Sequence, residues 1–336
     1  MAKLIPVIYR NMNYPPHIKA NIHELSGNFA QEKLSINDFS YSLHTDSASK
    51  PQTFNSKIFS NLLHIVSVQE DGIPQLWYNK NWANDFFIFI DRLIANNNKP
   101  EVLEIHPPFN NYPIFKECKL SPKKFDYCEA FKIFLDIFDV FYKQFKQKYP
   151  STTILIENRG SNWAGRFLLS RPYDVLEFAR ILSDSNADLK IVLDYPQIFS
   201  AVYISTNSEK KKELKKKGII IDDDILKRVI SFNQELKKYK DVIGGLHMWG
   251  KCKDKKGKWV SHSGNFDVLF SNNNELKHEF LASIFSTFND DIERYFVPEV
   301  NSGQDDLHSI VADIKKAGFI FPVPRQPSPI HVFLPQ

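Results

Sequence analysis

An α/β fold is what the sequence predicts: a single-domain (β/α)8 TIM barrel over residues 1–321, followed by an extended proline-rich tail over 322–336. Three observations carry that prediction. Short apolar runs alternate with polar loops and helical segments, the signature of a parallel α/β architecture. A chain of 336 residues suits one large barrel or two ordinary domains, and no linker divides it convincingly. The glycine fingerprints of dinucleotide-binding and P-loop folds are both missing, which removes the open-sheet nucleotide binders.

The elements follow in order. Leu4–Arg10 reads as a first strand, Tyr14–His17 as a turn, and Ala20–Leu25 as a short extended or helical piece. Phe39–His44 alternates large and small residues, as a strand does, and Trp82–Ala95 has apolar residues at helical spacing. Val102–His106 is a strand stopped by Pro107 and Pro108. Phe125–Lys148 is a long helix whose phenylalanine stripe faces the core. Thr153–Glu157 is a buried strand before the polar loop Asn158–Gly165, and Ser170 with Pro172 starts a helix through Leu182. Lys190–Asp194 is a strand and Asp222–Lys240 an amphipathic helix. Then comes a strand through Gly244 and Gly245 to His247, a lysine-rich hairpin, and a second histidine, His262, before Gly264. Leu276–Thr287, Tyr295–Glu299 and Asp305–Ala317 are the last helix, strand and helix, the final one closed by Gly318.

Composition sets bounds on function. The formal charge of +4 permits a nucleic-acid or phosphate partner without demanding one. The run Lys210–Lys217 supplies much of the local positive charge; a solvated helix face or loop is its ordinary reading. Cys118, Cys128 and Cys252 are odd in number and lack CxxC spacing, against a disulfide framework or a structural zinc knot. No apolar h-region follows Met1 and no run has the length of a membrane span, so no membrane partner is expected and the cytoplasm is the expected compartment.

Chemistry concentrates where strands end. His44, His106, Glu157, Asp194, His247 and Glu299 each close an apolar run. In a closed barrel all would converge on the C-terminal mouth, where barrel active sites lie. Carboxylates and neutral imidazoles suit zinc, manganese and related divalent ions, and buried carboxylates repel one another unless a cation joins them. Each residue alone has a plainer alternative, since an acid after a strand also caps helices or faces solvent. One or two divalent ions, Zn or Mn, are therefore expected.

The pieces LEIHPPF, ILIENRG, IVLDYPQ, GGLHMWGK, SHSGNF and FVPEVN, in that order, resemble the xylose isomerase-like TIM barrels, and among them the endonuclease IV branch. The likeness spans His44 to Ala317. It implies that Glu157, Asp194, His247 and Glu299 form a metal quartet, and that His44 and His106 share Glu157 as a bridging carboxylate for a second ion. That branch's third ion expects Asp-x-x-His and an aspartate two residues before the loop histidine. Here Gln197 and Val260 stand in those places, which leaves His262 alone of that trio.

Two activities and one binding role follow from the same ring. A phosphoesterase or endonuclease acting on nucleic acid would use the ions to activate water, with Glu157, Glu299 and His262 as candidate catalytic groups. Arg159, Lys251, Lys253 and Gln197 would contact the substrate, and Trp163 and Trp249 would stack on an exposed base or sugar. A sugar isomerase or epimerase acting on a small sugar would need only the quartet, with Glu157 and Glu299 exchanging protons. The third role is a barrel that binds nucleic acid with little catalysis. The residues leave the oligomeric state open.

Overall fold

A computed structural model describes residues 1–10, 12–26, 40–45, 82–94, 99–108, 113–121, 124–159, 168–185, 188–206, 221–253, 256, 259–260 and 262–323. Eight strands form the barrel: β1 (Lys3–Tyr9), β2 (Ile22–Ser26), β3 (Ser40–Thr45), β4 (Val102–Ile105), β5 (Thr153–Glu157), β6 (Leu189–Asp194), β7 (Ile243–Met248) and β8 (Glu293–Pro298). Each pairs in parallel with its neighbours in sequence, and β8 pairs with β1 to close the ring. The predicted α/β barrel is the observed fold. The ambiguous piece after Ala20 is strand β2, because closing the ring requires a partner between β1 and β3.

Helices cover the outside of the ring. They are α1 (Trp82–Ile94), α2 (Tyr127–Lys148), α3 (Pro172–Asp184), α4 (Tyr195–Thr206), α5 (Asp223–Leu236), α6 (Asn274–Phe288) and α7 (Gln304–Lys316). The α2 stripe of Phe131, Phe134, Phe138, Phe141 and Phe145 is buried against the sheet and its neighbours, as its spacing predicts. Asp126 caps α2 by accepting from the Glu129 N–H at 3.1 Å. The start of α3 departs from expectation: the cap is Arg171, not Ser170. Asp174 reaches back to accept from the Arg171 backbone N–H (3.1 Å) and guanidinium (2.7 Å), so a first-turn acid, not a hydroxyl, anchors this helix start. Gly318 does close α7, with φ of +111°, where a side chain would be strained.

Inside the ring, side chains two residues apart share a face. Val102, Leu155 and Val192 form one small apolar cluster, and Val7, Tyr9, Ile22 and Val297 another, both separate from the main core; Tyr295 packs against both. The β6–β7 register shifts between Ile191 and Val192, so the chain passes close at Gly244. A Cβ there would lie 2.6 Å from Leu155 Cδ2 and 2.9 Å from Lys190 Cβ. Glycine is needed at that point for the barrel wall to close. No helix among the described residues is long and apolar enough to cross a membrane. The run Lys210–Lys217 and residues 324–336 of the tail lie outside the described residues.

Candidate metal centre

The strand ends bring the predicted residues together. Glu157 lies at the hub, at the end of β5. Its Oε2 is 3.0 Å from His44 Nε2 and 3.1 Å from His106 Nε2, while its Oε1 is 3.3 Å from His247 Nδ1. His247 Nδ1 is also 3.7 Å from Glu299 Oε2, and His262 Nε2 is 3.8 Å from that same oxygen. Three groupings place potential ligand atoms close enough for an ion: His44–His106–Glu157, Glu104–Glu157–His247 and Asp194–His262–Glu299. Thus all six strand-end residues and the loop histidine belong to one connected cluster.

Local structure explains each placement. Glu157, Asp194 and His247 are last or near-last on consecutive strands, and Glu299 directly follows β8. Asn158 clasps two strand ends: its Oδ1 accepts from the Asp194 N–H at 2.8 Å and its amide donates to the Asp194 carbonyl at 3.3 Å. Asp194 Oδ1 accepts from the Gln197 N–H at 3.1 Å, so it caps α4 as well as facing the cluster. His262 sits at φ +55°, with its carbonyl accepting from the Asn301 N–H at 2.7 Å. Gly250 donates to the Gly264 carbonyl at 3.0 Å and ties the hairpin base; a Cβ on Gly250 would come within 2.3 Å of the Asn265 carbonyl oxygen.

Sequence reasoning missed two acids. Glu24 on β2 and Glu104 on β4 are buried among the same groups. Glu104 Oε1 is 3.3 Å from His247 Nε2 and 3.4 Å from His44 Nε2. The signal was parity, because Glu104 precedes His106 by two residues and so shares its inward face. Tyr9, at the end of β1, also reaches the ring, where burial and the Glu299 and Glu24 carboxylates push its hydroxyl pKa up.

Five carboxylates and four imidazoles in so little space compete for charge. Burial pushes Asp194 well above the carboxylate range, helped by Glu299 and Glu157. Burial likewise lifts Glu24 to about 8. Burial also opposes ionisation of Glu157, but the imidazoles of His106 and His247 hold it well below its ordinary value. Glu299 is held at about 2, the charges of His262 and His247 outweighing its burial. His44 rises to about 10 against its burial, through its bond to Glu157 and the charge of Glu104.

This donor set fits a divalent cation. Ligands about 2.0–2.2 Å from a tetrahedral zinc lie roughly 3.3 Å from one another. The nitrogen–oxygen separations around Glu157, 3.0–3.3 Å, are of that size. Oxygen and imidazole donors without thiolate suit zinc or manganese alike.

The remaining predicted contacts fare differently. Trp249 is buried, 1% exposed, with its ring 4.6 Å from that of His262; it packs the loop histidine and has no exposed face for a base, which corrects the stacking expectation. Lys251 is buried too, because the tied hairpin folds it inward. Its ammonium approaches the Ser200 hydroxyl at 3.4 Å, and burial lowers its pKa to about 8 despite Asp194. Arg159 is half-buried at the mouth, its N–H bonded to the Leu169 carbonyl at 2.9 Å. Gln197 lies in the first turn of α4, and Val260 is an exposed hairpin residue paired with Cys252. Lys253 belongs to the same hairpin, with its side chain outside the described residues, as Trp163 is entirely.

Together these features define an α/β barrel with a carboxylate–imidazole cluster at its C-terminal mouth. No family model matches the chain, and no curated protein does. Among the solved structures similar to it are the following three. A D-tagatose 3-epimerase-like protein is 14% identical, with TM-score 0.44, over 94% of this chain and 97% of that one. A structure described as AsfvAP:AG is 9% identical, with TM-score 0.45, over 89% of this chain and 86% of that one. The Prevotella bryantii endo-beta-mannanase/endo-beta-glucanase PbGH26A-GH5A is 9% identical, with TM-score 0.40, over 88% of this chain and 35% of that one. All three TM-scores are below 0.5, so the chemistry rests on the chain's own residues.

Proposed function

We propose that the chain is a divalent-metal-dependent phosphoester hydrolase with a two-ion centre, nucleic acid being the first substrate class to test. The observation that supports this most is the division of Glu157: one carboxylate oxygen faces His44 and His106, the other faces His247. A carboxylate so placed bridges two ligand sets. His44, His106 and Glu157 would hold one ion, and Glu157, Asp194, His247 and Glu299 the other. Ions bound there supply charge stabilisation to a phosphoryl group and water activation at neutral pH.

The chain's own groups supply the rest. His262 is the more open member at the rim, its side chain 33% exposed, with Nε2 3.8 Å from Glu299. Burial keeps its pKa below the ordinary histidine value, so it stands neutral and able to accept a proton from an attacking water. Trp249 packs against that ring, and the Asn301 N–H holds the His262 backbone through its carbonyl. The half-buried Arg159 is one candidate for a phosphate oxygen.

The isomerase reading asks Glu157 to carry protons, yet both of its oxygens face imidazole nitrogens, which favours a ligand role. Protein loaded with Zn2+ or Mn2+ should cleave an abasic-site duplex or bis(p-nitrophenyl) phosphate, and Glu157→Gln should lower the rate on the order of 10³-fold. Entry of solvent deuterium into a ketose carbon, with no phosphoester cleavage, would instead support the isomerase. DNA affinity that survives chelation and Glu299→Gln, without turnover, would support the binding role.

A further inference from the structure

Glu104 has no part in any of the functions above, and it is among the most buried charged groups of the chain, 2% exposed. It lies on β4 two residues before His106, so it faces the lumen beneath the cluster. An acid kept that deep costs folding stability unless its oxygens have partners. Its partners are imidazoles: Oε1 is 3.3 Å from His247 Nε2 and 3.4 Å from His44 Nε2.

His247 is thereby held from both sides. Nδ1 faces Glu157 and Glu299 at 3.3 and 3.7 Å, and Nε2 faces Glu104. A neutral imidazole has one N–H and one lone pair. Carboxylates, which only accept, stand on both sides of the ring; a cation held by Glu157 and Glu299 would take the Nδ1 lone pair, and Glu104 is then the acceptor placed for the N–H left at Nε2. We infer that Glu104 is a positioning residue, fixing the tautomer and ring orientation in which His247 presents Nδ1 to a divalent cation. The inference rests on the metal-binding reading. It makes Glu104 an orienting partner of the kind that tunes metal sites without touching the ion. The rival role is direct ligation, since Glu104, Glu157 and His247 also lie within reach of a common ion.

The test is zinc titration against a chelating indicator, with ion counting, on wild type, Glu104→Gln and Glu104→Leu. It is joined by 15N NMR of His247 in the zinc-loaded proteins. The inference expects an unchanged ion count in both variants. Zinc affinity should fall about tenfold in Glu104→Gln, whose carbonyl can still accept the N–H, and toward a hundredfold in Glu104→Leu. The His247 Nε2–H proton should be shifted downfield and slow to exchange in wild type, as a bond to a carboxylate requires, and should move upfield and exchange faster in Glu104→Leu. Loss of one equivalent of zinc would make Glu104 a ligand and overturn the inference. So would unchanged zinc affinity in Glu104→Gln, a nearly isosteric change that keeps the test alive if the leucine variant does not fold. Wild type that binds no zinc would sink the metal reading itself, a result distinct from either.

Discussion

The lower and upper halves of the barrel interior are built by the same strands and do opposite things. In the lower half Val102, Leu155 and Val192 form a dry apolar layer. Two residues further along those strands stand Glu104, Glu157 and Asp194, all buried. That step is only about 6.6 Å along a strand. Val297 and Glu299 repeat the pattern at the end of β8 and just beyond it. The floor lowers the free energy of folding by removing apolar surface from water. The mouth raises it by gathering carboxylates that resist ionisation, as the upward-shifted Asp194 and Glu24 show. A site of this kind persists because the layer beneath it and the helices outside hold it in place.

That contrast can be broken from either side. The largest effect is expected at the hub. Glu157→Gln should abolish binding at both ion positions, along with the activity loss given above, while the protein still unfolds cooperatively; ion counting beside circular dichroism checks both halves. Next is the floor. Leu155→Ala should cost about 2–5 kcal/mol in urea denaturation, because it opens a cavity in a closed layer, yet leave the ion count unchanged. Gly244→Ala should cost about 1–3 kcal/mol by forcing a methyl against Leu155 and Lys190, also without changing the ions bound.

The smallest effect sharpens the comparison through protons. In the metal-free protein His44 has its pKa raised to about 10, so it is charged at neutral pH and must lose its proton to ligate. Zinc binding should therefore release protons, and affinity should rise with pH up to about 10. The metal-free fold shows the converse. Stability from the charged His44 is fully present below its unfolded pKa of about 6.5 and is lost as pH rises through about 10. Proton release measured with a pH indicator in weak buffer checks the sign.

Much of this was legible in the sequence, because the mouth of a barrel is written at strand ends. ILIE, IVLD and GGLH each put a ligand-type side chain where an apolar run stops, and all three converge. Glu104 and Glu24 escaped because they lie inside strands, where an acid reads as an outward residue unless its parity is counted from a known inward neighbour. Trp249 and Lys251 are buried for a tertiary reason. They follow a strand end and look like loop residues, but the Gly250–Gly264 bond folds the hairpin base back over them. Ser170 lost its capping role to an Arg171–Asp174 pair that no hydroxyl rule anticipates.

The central claim is that Glu157 bridges two ion sites, and elemental analysis of purified wild type beside His106→Ala tests it most directly. The account predicts two equivalents of divalent metal falling to about one in the variant. A single equivalent that is unchanged by the loss of His106, or none in either protein even after divalent ions are added, would contradict it.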